Sequence, residues 1–255
     1  MAKVETENRG VVRIVRLNRP EVHNCIDAEA AALLESAIEA FADEASARVL
    51  VVTGAGDASF CTGADLKAVQ DIAMRPGRER SSPLGFARLD PGKPTIAAVN
   101  GYCFAGGLEL AAWCDVRIAA ANAEFGVLNR RWGIPLIDGG TQRLPRIMGQ
   151  GNALYLIETG VRIGADRARE LGLVQEVVGQ GEALARALEL AESIAGYPPV
   201  SVVGDRAAAL EGLGMPLHEG LDREAEIGDL SLTDPDLPGA LGTFSTPDRP
   251  EAPRG

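Results

Sequence analysis

The hydrophobic pattern divides the chain into a leading α/β part and a trailing helical part. Residues 4–7 and 11–17 read as short strands around a turn at Asn8-Arg9-Gly10, and Asn18-Arg19-Pro20 stops the second. Apolar residues at helical spacing then run from Asp27, an N-cap residue type, to Phe41. Val49-Leu50-Val51-Val52-Thr53 shows no alternation and ends at Gly54, the pattern of a strand covered on both faces. Thr95-Ile96-Ala97-Ala98-Val99 is a second apolar run, and 116–119 reads as a further strand. Between them, residues 75–82 are polar with Pro and Gly and predict a mobile loop. Beyond Asp138 the spacing predicts helices at about 139–148, 150–158, 166–171, 182–195, 201–212 and 216–228, with one strand at 173–178. From Thr233 the chain holds five prolines and no period, which predicts an extended or flexible tail. The expected organisation is a core over 1–195, a helical region over 196–232 and the tail over 233–255. Strand, glycine loop, helix and strand in that order is an α/β pattern.

Composition narrows the function classes. The 255 residues suffice for one core with a helical appendage, and 46% hydrophobic with 24% charged residues is ordinary for a globular protein. A net charge of −11 argues against nucleic acid as a partner. No apolar run approaches the roughly 20 residues of a membrane span, so a cytoplasmic protein with no membrane partner is expected. Cys25, Cys61, Cys103 and Cys114 have no C-x-x-C spacing and read as reduced thiols. With only His23 and His218 present, a His-rich metal site is excluded, and no G-x-S-x-G elbow exists.

Candidate chemistry lies in two small-residue loops that each open a helix. In Asn100-Gly101-Tyr102-Cys103-Phe104-Ala105-Gly106-Gly107-Leu108-Glu109-Leu110, bare backbone at a helix start offers unpaired N–H groups to negative charge, with a carboxylate one turn on. Phe60-Cys61-Thr62-Gly63-Ala64-Asp65-Leu66 is a second loop of this kind. If the strands before them are neighbours, N–H groups from both converge on one oxygen.

Those two segments, with Leu17-Asn18-Arg19-Pro20, Ala97-Ala98-Val99-Asn100-Gly101, Cys114-Asp115, Phe125-Gly126 and Gly139-Gly140-Thr141-Gln142-Arg143-Leu144, make the chain resemble the crotonase (enoyl-CoA hydratase/isomerase) superfamily from about Val11 to Glu226. The resemblance implies a spiral of ββα units and a C-terminal helical region used for trimerisation, in a homotrimer or dimer of trimers. It implies an acyl-CoA thioester substrate, no cofactor beyond its CoA moiety and no metal. The N–H groups of Ala64 and Gly106 would form an oxyanion hole for the thioester enolate. Glu109 matches the first of two family glutamates, and its place at a helix start favours the ionised form of a base. The second falls on Asn129, which holds water by hydrogen bonds but exchanges no proton near pH 7. Asp138, in a position usually small in hydratases, is either a catalytic substitute or the N-cap of the helix at Gly139, accepting from Thr141 N–H. Arg131 is a candidate to hold an acyl carboxylate and Trp132 an apolar wall, with subunit packing or a surface ion pair as the other reading. His23, Asn24, Cys25, Asp65 and Leu66 match CoA-binding stretches, and Arg19 and Lys67 are candidate phosphate contacts or solvated charges. The expected activity is enoyl-CoA hydration, with isomerisation, carbon–carbon bond hydrolysis through Asp138, or acyl-CoA binding without chemistry as alternatives.

Overall fold

A computed structural model describes residues 2–242 together with 244 and 246. Strands β1 (Val4–Arg9) and β2 (Val12–Leu17) form an antiparallel hairpin. Helix α1 (Ala28–Asp43) follows, capped by Asp27, whose carboxylate accepts the Ala30 N–H at 2.9 Å. The chain then repeats one move three times. Strand β3 (Val49–Gly54) is followed by β4 (Ser59–Cys61) and the short helices α2 (Val69–Ala73) and α3 (Arg78–Ser81). Strand β5 (Thr95–Val99) is followed by β6 (Tyr102–Phe104) and α4 (Gly106–Trp113). Strand β7 (Val116–Ala120) is followed by β8 (Glu124–Gly126), a 3-10 turn over Leu128–Trp132 and α5 (Gly140–Met148). The first strand of each unit joins one sheet and the second joins another, giving orders β1-β2-β3-β5-β7-β10 and β4-β6-β8-β9. The units pair in parallel in both sheets. This ββα spiral is the fold expected from the sequence.

The remainder is α6 (Gln150–Thr159), β9 (Ile163–Gly164), α7 (Ala165–Glu170), β10 (Glu176–Val178), α8 (Ala183–Ala195), α9 (Pro199–Glu211), α10 (Leu217–Leu232) and α11 (Leu237–Gly242). The apolar runs without alternation are explained by two cores. Val49, Val51, Ile96 and Ala98 face α8, through Ala187 and Ala191, while Leu50, Val52, Ala97 and Val99 face the interior shared with the second sheet and α4. Every residue of α4 is buried, so Glu109 is carried into the interior by an otherwise apolar helix.

Two expectations need correction. Residues 75–82 do not form an open loop. Arg75 is buried against Glu35 of α1 and residues 78–81 are helical, because a left-handed Gly77 (φ 81°) redirects the chain there. The tail from Thr233 is not extended throughout, since α11 is helical and Pro238 lies in its first turn, where a missing N–H breaks no helical bond. The rest of the expected tail, apart from 244 and 246, lies outside the described residues. Among the described residues no helix is long and apolar enough to cross a membrane.

Candidate active site

The two loops identified in the sequence meet because their leading strands, β4 and β6, are parallel neighbours. Gly63 (φ 90°) packs so closely on the second loop that a Cβ there would lie 2.7 Å from the Gly106 nitrogen. The Ala64 nitrogen is 3.7 Å from where a Gly106 Cβ would stand. Around Ala64 the ladder to Ile26 uses the Gly63 carbonyl and the Asp65 N–H, leaving the Ala64 N–H on the other side. Neither the Ala64 nor the Gly106 N–H donates to a protein group among the described residues. Ala105, just before Gly106, takes the strained backbone φ 51°, ψ −123°. Two unpaired N–H groups therefore face one side of a cleft at the start of a buried helix, the arrangement that stabilises an oxyanion.

The cleft has a cavity volume of about 220 Å³. Thr62, Ala64, Gly106, Glu109, Asn129 and Asp138 line its polar end. Leu66, Ile72, Leu84, Phe104, Leu128, Trp132, Ile134 and Ile137 line its apolar walls.

Glu109 is 2% exposed, and its Oε1 accepts N–H groups from Asp138 (2.9 Å) and Gly140 (2.8 Å). Burial pushes its pKa up to about 8; the Gly140 N–H opposes this and the Asp138 charge adds to it. The expectation of an ionised glutamate is thus corrected. The helix start does not offset the desolvation of a carboxylate enclosed by apolar neighbours. Asp138, also 2% exposed, is not the helix cap. Gly139 (φ 98°) occupies that position, and the Asp138 Oδ1 instead accepts the Leu84 N–H at 2.9 Å. Burial raises the Asp138 pKa, while hydrogen bonds from the Ser82 side chain and Leu84 N–H and the charge of Arg75 hold it down.

Asn129 is buried, its Nδ2 donates to the Ile134 carbonyl at 2.7 Å, and its Oδ1 has no partner among the described residues. Trp132 lines the cleft and is 71% exposed, whereas Arg131 is exposed and lies outside the lining. Leu66 lies at the cleft and Lys67 is exposed. Asn24 is fully buried and bonded to the Ala55 and Ser59 carbonyls and the Arg19 N–H, a structural role. Arg19 already pairs with Asp27 and Asp65 and donates to the Cys25 carbonyl, so its charge is committed. Cys25 is half-buried and its thiol is raised to about 11 by desolvation first. His23 is exposed and edges the Tyr102 ring. No cluster suited to a metal occurs among the described residues.

Sequence reasoning missed Leu84, Ser82 and Arg75. They sit in a segment that reads as loop, and no local pattern signals that Leu84 covers Gly106 or that its N–H reaches Asp138, 54 positions away.

Residues 6–228 match the family model described as enoyl-CoA hydratase/isomerase. The chain is similar to the crotonyl-CoA hydratase of Syntrophomonas wolfei, 36% identical over 242 residues, covering 93% of each chain. It is 39% identical over 214 residues to the (E)-benzylidenesuccinyl-CoA hydratase of Thauera aromatica, covering 82% of this chain and 83% of that one. Among solved structures, the enoyl-CoA hydratase of Mycobacterium tuberculosis superposes with a TM-score of 0.92 at 34% identity, over 98% of each chain.

Proposed function

The chain belongs to the enoyl-CoA hydratase/isomerase family and is an enzyme acting on acyl-CoA, and from that premise we propose that it adds water across the α,β double bond of a 2-enoyl-CoA, with Glu109 and Asp138 as an unequal carboxylate pair. One observation carries this reading: Glu109, with a pKa near 8, is fixed by the backbone of Asp138 beside two unpaired N–H groups. Environments that push two carboxyl groups apart mark one as acid and the other as base.

The thioester oxygen accepts hydrogen bonds from the Ala64 and Gly106 N–H groups. Water in the cleft attacks Cβ as the Asp138 carboxylate takes its proton. The π pair moves onto the thioester oxygen, giving an enolate that the two N–H groups stabilise. Each such donor is worth roughly 3–4 kcal/mol of barrier. Glu109, protonated near neutral pH, then gives its proton to Cα, and the proton on Asp138 returns to the pair through solvent. Asn129 performs no proton transfer in this scheme.

The test is turnover of crotonyl-CoA by the purified protein, beside Glu109→Gln and Asp138→Asn. Loss of hydration by at least a hundredfold in both variants is expected. Hydration that survives Asp138→Asn would remove Asp138 from the mechanism. Asn129 favours a second reading, migration of a double bond from 3-enoyl- to 2-enoyl-CoA, because that needs one carboxyl group carrying a proton between two carbons. Conversion of a 3-enoyl-CoA without hydration of crotonyl-CoA identifies it. The family resemblance also supports a homotrimer or trimer pair assembled through the C-terminal helices.

A further inference from the structure

Arg75 does not line the cleft, but all three of its guanidinium nitrogens are bonded beside it, one of them to the carbonyl of the lining residue Pro83. It is 5% exposed and its Nη1 meets Glu35 Oε2 at 2.6 Å. Its Nη2 donates at 2.6 Å to both the Ser81 hydroxyl and the Ser82 carbonyl, and its Nε donates to the Pro83 carbonyl at 3.2 Å. Ser81 closes the ring by donating to the same Glu35 oxygen at 2.8 Å, and Arg80 pairs with the other oxygen.

Apart from Glu35 and the Pro76 carbonyl, the groups this guanidinium holds lie in 81–83, where the chain enters the cleft wall at Pro83 and Leu84. Ser82 adopts φ 95°, a costly conformation for a residue with a side chain, so an external restraint is needed to keep it there. Three residues on, Gly85 (φ 87°) presses on the Ala31 carbonyl of α1 with no room for a Cβ. Between these fixed points, Leu84 gives its N–H to Asp138 and lays its side chain on Gly106, while the Ser82 hydroxyl accepts the Ala87 N–H at 3.1 Å and helps hold the Asp138 pKa down.

We propose that Arg75, anchored by Glu35, is a positioning residue: it holds the 82–84 segment in the strained conformation that orients the Asp138 carboxylate and seats Leu84 over the Gly106 N–H. The catalytic consequence rests on the hydration reading, but the clamp itself does not. Besides Arg75, the charged groups around Asp138 are Glu109, which accepts its backbone N–H, Arg143 of α5, whose charge bears on Glu109, and Arg78 at the cleft wall.

Losing Arg75 alone leaves the Glu35 charge buried, so the double variant Glu35→Gln/Arg75→Met is measured beside Arg75→Lys, with folding checked by circular dichroism. Amide hydrogen exchange of the 82–86 segment is expected to rise at least tenfold in the double variant, and kcat for crotonyl-CoA to fall at least tenfold with KM within threefold. The acid limb of the pH profile should move to higher pH, because the cation that favours ionised Asp138 is gone. Arg75→Lys, which keeps the charge and part of the bonding, should recover part of kcat and return the acid limb toward its native place. A folded double variant with exchange within twofold of native overturns the proposal, and so does raised exchange with unchanged kcat. If the native protein does not turn over crotonyl-CoA, the hydration reading falls, and exchange at 82–86 alone decides the clamp.

Discussion

At the scale of single residues, the charge of Glu109 is set by apolar walls drawn from Leu136, Leu84 and the rest of α4. The folded protein holds the Glu109 proton up to about pH 8, against an ordinary value of 4.5. The stability it contributes is therefore complete below about 4.5 and is lost as the pH climbs through about 8. Glu109→Gln keeps an acceptor for the Asp138 and Gly140 N–H groups and has no charge to desolvate. At pH 9 it should exceed the native protein by about 3–5 kcal/mol in denaturant unfolding, and at pH 4 the two should coincide. A native advantage at pH 9 would mean that Glu109 ionises without cost. In the same way, the alkaline limb of kcat/KM, which reports the free enzyme, should lie near 8, where the acid loses its proton. Gly140 supplies a geometric test, since an added Cβ would stand 2.8 Å from Glu109 Cγ and 3.0 Å from its Oε1. Gly140→Ala should cost tenfold or more in kcat with little change in melting temperature, because displacing a reacting group by a fraction of an ångström suffices.

At the scale of elements, the glycine loops were legible and the strands that bring them together were not. β4 and β6 have three residues each, too short for a period-2 pattern, yet their parallel pairing sets the Ala64 and Gly106 N–H groups side by side. The long strands β3 and β5 were readable because both faces are buried, one under α8 and one against α4. Helix α3 was unreadable for the opposite reason. Pro76 and Gly77 just before it mark a loop, while the contact that orders the segment, Arg75 with Glu35, spans 40 positions. Gly63→Ala tests the junction of the two loops. At φ 90° the new side chain is strained, and its Cβ would meet the Gly106 nitrogen at 2.7 Å. The predicted loss is 10²–10³ in kcat, the usual result of disabling one oxyanion donor. Because the junction also tightens the fold, a fall of several degrees in melting temperature should accompany it. Unaltered kcat would show that the Gly106 N–H does not meet the reacting oxygen.

On the scale of the whole molecule, the spiral leaves one region without a core of its own. Helices α9 and α10 pack on each other and are tied to the body by Arg206, which pairs with Asp115 and Asp90 at 2.9 Å each. Within this pair only Ile227 is fully buried, while Leu217 is 79%, Leu230 66% and Leu221 52% exposed. Leu217 and Leu221, one turn apart, share a face of α10 and Leu230 stands on the opposite side, so both faces of this helix expose leucine to water. The sequence gives the helices through their period but cannot show that their apolar stripes outnumber the surfaces available within one chain. The family resemblance implies a homotrimer, and these exposed leucines are where a subunit contact is predicted. The triple variant Leu217→Asp/Leu221→Asp/Leu230→Asp should therefore sediment as a monomer where the native chain sediments as a trimer or larger. Since those leucines lie outside the cleft lining, the released monomer should keep its circular dichroism spectrum. A native chain that is monomeric at micromolar concentration would refute the assembly, leaving those leucines as an exposed patch.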